Sequence, residues 1–123
     1  MKSNESAEDY LETILLLSQQ LPVVRSVDVA NELGFKKSSV SVAMKKLRES
    51  EHITMTDAGY IYLTDEGKAL AEKVYERHNV FTTFLTSLGV DAKVAENDAC
   101  RIEHVISEES FRAFKRYIEK NNA

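Results

Sequence analysis

The chain has 123 residues, 43% of them apolar, enough for one domain or two small lobes with a core of ordinary globular character. Its 16 Lys and Arg against 20 Asp and Glu give a net charge of -4, which excludes a uniformly basic nucleic-acid binder and leaves such a role to local charge. The single cysteine excludes an internal disulfide; with no run of about eighteen apolar residues and no apolar stretch at the N-terminus, a cytoplasmic protein without membrane contact is expected.

Ala7, Tyr10, Leu11, Ile14, Leu15 and Leu17 recur at helical spacing between Ser6 and Gln20, with Glu8, Asp9 and Glu12 among them, which predicts an amphipathic first helix. Leu21-Pro22-Val23 interrupts it. Ser26, as N-cap, opens a short second helix through Leu33, and Gly34 stops it. A third helix begins at Lys37 or Ser38, with Val40, Ala43, Met44 and Leu47 as its buried stripe and Lys45, Lys46 and Arg48 on the other side. Two helices about a tight glycine turn make a helix-turn-helix pattern. Residues 53–56 and 60–63 are strand-like runs around Asp57-Ala58-Gly59, so a hairpin of the kind called a wing should follow. Thr64-Asp65-Glu66 then caps a long helix whose apolar positions, among them Leu70, Val74, Val80, Phe81, Phe84 and Leu85, continue to Leu88 before Gly89 ends it. Asp91 begins another helix carrying Val94, Cys100, Ile102 and Val105, and Ser107 caps a last one with Phe111, Phe114, Tyr117 and Ile118 on its apolar side. The expected fold is mostly α: a winged helix-turn-helix lobe followed by an all-helical lobe, sharing the long helix from Thr64.

Between Val23 and Ser50 the charge reverses. Six basic residues, Arg25, Lys36, Lys37, Lys45, Lys46 and Arg48, stand against Asp28, Glu32 and Glu49. Lys36 and Lys37 begin the third helix, the end that a helix-turn-helix presents to the major groove, and Ser38, Ser39 and Ser41 add hydroxyls and backbone N–H groups for phosphates and base edges. A solvated helix face has the same charges. The coincidence with helix, glycine turn, helix and hairpin in that order favours DNA, and the lack of an aromatic stacking platform favours duplex over single strands.

Cys100, Glu103 and His104 set a thiol, a carboxylate and an imidazole at i, i+3 and i+4, on one helical face. Such a mixture of soft, hard and borderline donors suits a late first-row divalent ion better than magnesium or calcium. A buried thiol beside a surface Glu and His is the plainer alternative. Asp9 and Glu12, at i and i+3 on the first helix, and His78 on the long helix are further ligand-type residues, each weak alone.

In order, these segments resemble the diphtheria toxin repressor and manganese transport regulator family of metal-dependent repressors. Residues 6–14 look like its first helix, 37–41 its recognition helix and 63–67 its wing exit, while Arg77-His78 and the stretch 100–104 look like its metal site. The resemblance covers essentially the whole chain. It implies a homodimeric repressor that binds palindromic operator DNA when cytoplasmic metal is plentiful and shuts off metal uptake genes. It also implies a DNA-binding domain over residues 1–63, with Arg25 and Ser26 beside the helix residues named above, and a metal-binding and dimerisation domain over 64–123. By motif match Asp9, Glu12, His78, Glu103 and His104 fall on ligand positions of the manganese branch, and Cys100 completes the set. That branch has a Glu where this chain has Cys100, the residue of the iron branch. Asp9 stands where the iron branch has a Met, and Thr82 and Glu96 where it places a Glu and a His of its second site. No SH3-like extension of the kind that longer iron-branch members carry is expected, as in manganese regulators. The cofactor implied is Mn(II) or Fe(II), with Co(II) or Zn(II) able to substitute in vitro. Metal would pin the first helix to the second lobe and fix the spacing of two recognition helices, roughly 34 Å on DNA. A dimer contact through Val80, Phe84 and Ile102 would serve that spacing.

Two other functions meet the same residues less well. A zinc hydrolase lacks a His-Glu-x-x-His pair and a pocket-forming scaffold, so the chain is not expected to be an enzyme. A winged-helix regulator that senses an oxidant or small molecule through Cys100, without metal, would bind DNA equally well after chelation.

Overall fold

The computed structural model describes residues 2–122, with side chains over 6–121. Its elements run α1 (Lys2–Gln20), α2 (Ser26–Leu33), α3 (Lys37–Glu49), β1 (Ile53–Met55), β2 (Ile61–Leu63), α4 (Asp65–Ser87), α5 (Ala92–Ile102) and α6 (Glu108–Asn122). They form two compact units that divide within α4, one over Lys2–Lys73 and the other from Val74 onward. The chain is mostly helical, with a two-stranded wing, as its periodicity predicts. Among the described residues no helix is long and apolar enough to cross a membrane.

In the N-terminal unit the apolar positions of three helices and the wing are buried together. Tyr10, Leu11, Ile14, Leu15 and Leu17 of α1, Val29 and Ala30 of α2, Val40, Met44 and Leu47 of α3, and Ile53 and Ile61 are each at most 8% exposed. α2 starts one residue away from its expected cap. Arg25 is the N-cap in extended conformation; its N–H donates to the Asp28 carboxylate at 2.9 Å, and the Asp28 N–H donates to the Arg25 carbonyl at 3.0 Å. Ser26 is the first helical residue, and the Asp28 carboxylate, three positions after the Arg25 cap, satisfies the cap's own N–H as the acid of a capping box does. Gly34 ends α2 at φ +70°, its N–H bonded to the Ala30 carbonyl, and the chain turns directly into α3.

The wing is shorter than the strand-like runs suggest, with Ile53 opposite Leu63, Thr54 opposite Tyr62 and Met55 opposite Ile61. Thr56 accounts for the difference: its N–H bonds the Tyr60 carbonyl and its Oγ1 accepts the Tyr60 N–H, so both residues belong to the turn. The Ile61 N–H also bonds the Val24 carbonyl at 2.8 Å, which ties the segment before α2 to the wing. Thr64 then caps α4, accepting the Gly67 N–H at 3.1 Å and donating to the Glu51 carbonyl at 2.7 Å.

The C-terminal unit is built on a cluster of Phe81, Ala99 and Phe111, against which Val80, Ile102 and Ile106 pack. Phe81 and Phe84 meet Phe114 edge-on, at 5.4 and 5.9 Å between ring centroids. Asp91 caps α5 through the Lys93 N–H, and Ser107 caps α6 through the Ser110 N–H. One expectation fails here. α5 stops at Ile102, so Val105 lies in the following turn and is 75% exposed. Arg77 donates to the carbonyls of Glu103 and Ile106, and the Ser107 hydroxyl caps the next helix, so the turn between the two helices is bonded at both ends.

Candidate metal centre and nucleic-acid interface

α4 carries His78, and the end of α5 brings Cys100, Glu103 and His104 to it. Glu103 is the C-cap of α5 and keeps helical dihedrals, φ -59° and ψ -24°, with its N–H still bonded to the Ala99 carbonyl. Side chains at i, i+3 and i+4 therefore share a face here, although His104 stands beyond the last helical residue. The Glu103 side chain has no exposed surface; Oε2 lies 3.0 Å from His78 Nδ1 and Oε1 lies 3.4 Å from His104 Nε2. Donor atoms of Cys100, Glu103 and His104 all lie within 4.8 Å of one another. The His104 side chain is buried and that of His78 is 20% exposed.

A carboxylate fully removed from water is costly unless opposite charge or hydrogen bonds meet it. Here two imidazoles and a thiol converge on it, a donor set of oxygen, nitrogen and sulfur that fits a late first-row divalent cation. Asp9 and Glu12 lie one turn apart on α1 in the N-terminal unit, both half-buried.

The family resemblance sets Arg77 beside His78 in the metal segment, but its contacts were not legible in the sequence. It is 7% exposed, on the buried line that runs through Ala71, Val74 and Phe81. Its NH1 group donates to the carbonyls of Glu103 at 3.1 Å and Ile106 at 3.0 Å, and its NH2 group donates to the Glu108 carboxylate at 2.8 Å. The available signal was a charged residue on an apolar stripe, three positions after Val74 and four before Phe81.

The basic face is separate from these groups in sequence and chemistry. Lys36, Lys37, Ser38, Ser39, Ser41, Lys45 and Lys46 are all exposed, opposite the buried Val40, Met44 and Leu47 of α3. Ser26 is half-buried at the start of α2. The Arg25 guanidinium lies 5.2 Å over the Tyr60 ring, so a cation is held against the wing. Val42, 56% exposed on the same side of α3, is an apolar residue that the charge pattern concealed.

Residues 2–61 match the N-terminal DNA-binding domain of the iron-dependent repressors, and residues 64–122 match their metal-binding and dimerisation domain. The transcriptional regulator MntR of Escherichia coli is 36% identical over 97% of this chain and 77% of its own length. An uncharacterised helix-turn-helix transcriptional regulator of Methanocaldococcus jannaschii is 33% identical over 95% of both chains. A solved manganese-dependent transcriptional repressor, in complex with manganese, superposes with a TM-score of 0.83 at 26% identity, covering 92% of this chain and 52% of that one. The chain thus spans about half the length of that solved repressor. With both domains of the family matched along its length, the chain belongs to the iron-dependent, or diphtheria toxin repressor and manganese transport regulator, family of metal-dependent transcriptional repressors, which are DNA-binding proteins and not enzymes.

Proposed function

We propose that this chain represses metal uptake genes in the cytoplasm, binding a palindromic operator as a homodimer when Mn(II) or Fe(II) is plentiful. The observation that carries the metal reading is the buried Glu103 carboxylate, met by His78 and His104 beside the Cys100 thiol. These four residues hold the ion. The family resemblance adds Asp9 and Glu12 of α1 as further ligands. A divalent ion supplies positive charge that offsets the carboxylates and the thiolate. Without that charge the acidic groups repel, and the chain spends less time in the arrangement that fits the operator.

Cys100 bears on the choice of metal. A thiolate favours iron(II), cobalt(II) or zinc, whereas carboxylates suit manganese or iron, so iron satisfies both kinds of donor. The solved relative holds manganese, which supports that ion as the other physiological candidate. Residues 1–63 serve as the DNA-binding domain and 64–123 as the metal-binding and dimerisation domain, a division that the two family matches support. Val80, Phe84 and Ile102 belong to the dimer contact. On DNA, Lys37, Ser38, Ser41 and Lys45 of α3 face the major groove, with Lys36, Ser39 and Lys46 beside them, and Arg25 and Ser26 contact phosphate near the wing.

The test is anaerobic titration of the chelated protein with manganese(II) and iron(II), followed by fluorescence anisotropy of a palindromic duplex from upstream of its own gene. Tight binding only with metal is expected. Equal binding with chelator and with either ion would sink the metal switch and leave a winged-helix regulator with another signal.

A further inference from the structure

His78 and Arg77 are consecutive on α4, yet they engage the turn after α5 in different ways. His78 meets the Glu103 carboxylate, while Arg77 grips the main chain that carries the ligands. Its NH1 group donates to the carbonyls of Glu103 and Ile106, the two ends of the turn that contains His104. NH2 donates to Glu108 in the first turn of α6, and the guanidinium lies 5.2 Å over the Phe111 ring. Three directional hydrogen bonds and one ring contact fix the plane of the guanidinium, and with it the path of residues 103–106.

We propose that Arg77 is a positioning residue for the metal centre: it sets where Glu103 and His104 present their donor atoms, and it links that turn to α6 through Glu108. This rests on the metal site proposed above. A planar fork is required for the task. Lysine offers a single nitrogen at the end of a flexible stem, and cannot hold two carbonyls of one turn and a carboxylate of the next helix in fixed directions. Groups that orient ligands from behind a metal site alter metal affinity by about 10–100-fold when removed, without contacting the metal.

Cobalt(II) titration of the full chain tests the assignment, since cobalt reports both affinity and ligand geometry through its visible absorption. The parent protein should bind cobalt with an absorption band from the thiolate; a parent that binds none refutes the metal site itself, whatever Arg77 does. Given binding by the parent, Arg77→Lys is expected to bind about 10–100-fold more weakly with altered visible bands. Thermal melts of the metal-free proteins accompany each titration. An arginine with a purely structural task would lower the melting temperature and leave the spectrum and affinity of the folded protein at parent values, and that result overturns the proposal. Should Arg77→Lys show no cooperative melt, Glu108→Gln decides in its place. It keeps a neutral acceptor for NH2 at a half-exposed position, and is expected to weaken cobalt several-fold in a folded protein; unchanged affinity and spectrum would overturn the proposal equally.

Discussion

Burial of the Glu103 side chain makes the neighbouring position, Cys100, the more tunable of the two, because the thiol is only half-buried and can be exchanged without orphaning a buried charge. Cys100→Glu substitutes a hard oxygen donor for a soft sulfur at the same place on α5. The variant should shift the preference for manganese over cobalt toward manganese by about tenfold, the equivalent of roughly 1.4 kcal/mol. Competition titrations with the two ions measure it, and an unchanged ratio would remove Cys100 from the ligand set. The grouping of Cys100, Glu103 and His104 was legible from their spacing because Glu103 keeps helical dihedrals past the end of α5. The resemblance placed Arg77 in the metal segment but did not give its contacts, because its partners are mainly main-chain carbonyls 26 and 29 residues away, which no side-chain pattern records.

At the scale of elements, the junction of wing and α4 depends on one close approach. Gly67 lies in the first turn of α4, where a Cβ would overlap the His52 carbonyl oxygen and come within 2.9 Å of its carbon. Helix propensity alone makes alanine about 1 kcal/mol better than glycine there. Overpacking against backbone costs about 1–3 kcal/mol, and backbone cannot swing aside as a flexible side chain can, so the steric cost should win. Gly67→Ala is thus expected to lower stability in urea denaturation; a stabilised variant would show that the wing shifts freely. On α3, Lys45 faces solvent opposite the buried stripe, so Lys45→Ala should leave stability within about 0.5 kcal/mol of the parent. If it neutralises a phosphate, the salt dependence of operator binding becomes shallower, by about 0.9 in log–log slope for each protomer. An unchanged slope would place Lys45 off the DNA. Periodicity and capping residues gave these helices their places in the sequence. The end of α5 escaped that reading, since Val105 continues the apolar spacing while the carbonyls of Glu103 and Ile106, just past the helix, bond Arg77 on another helix.

For the whole molecule, a net charge of -4 sets the terms on which DNA can be bound. The polyanion is attracted by the α3 face and repelled by the remainder, so without metal the balance should be poor and strongly dependent on salt. Switching requires more than added charge. Moving a two-state protein from 1:99 to 99:1 takes about 5.5 kcal/mol of difference in affinity for the ion between the two states. An ion binding only the folded chain also stabilises it by about 2.7 kcal/mol at a hundred times its Kd, which for a chain of this size amounts to a rise in Tm of about 10 °C. Chelation should therefore lower Tm by that order and abolish operator binding over the same range of free metal. The two readouts separate the possibilities. Loss of both the Tm shift and the metal dependence of operator binding would mean that no ion binds the folded protein, whereas a full Tm shift with unchanged operator affinity would mean that the ion binds both DNA-competent and incompetent arrangements alike, and so cannot act as the signal.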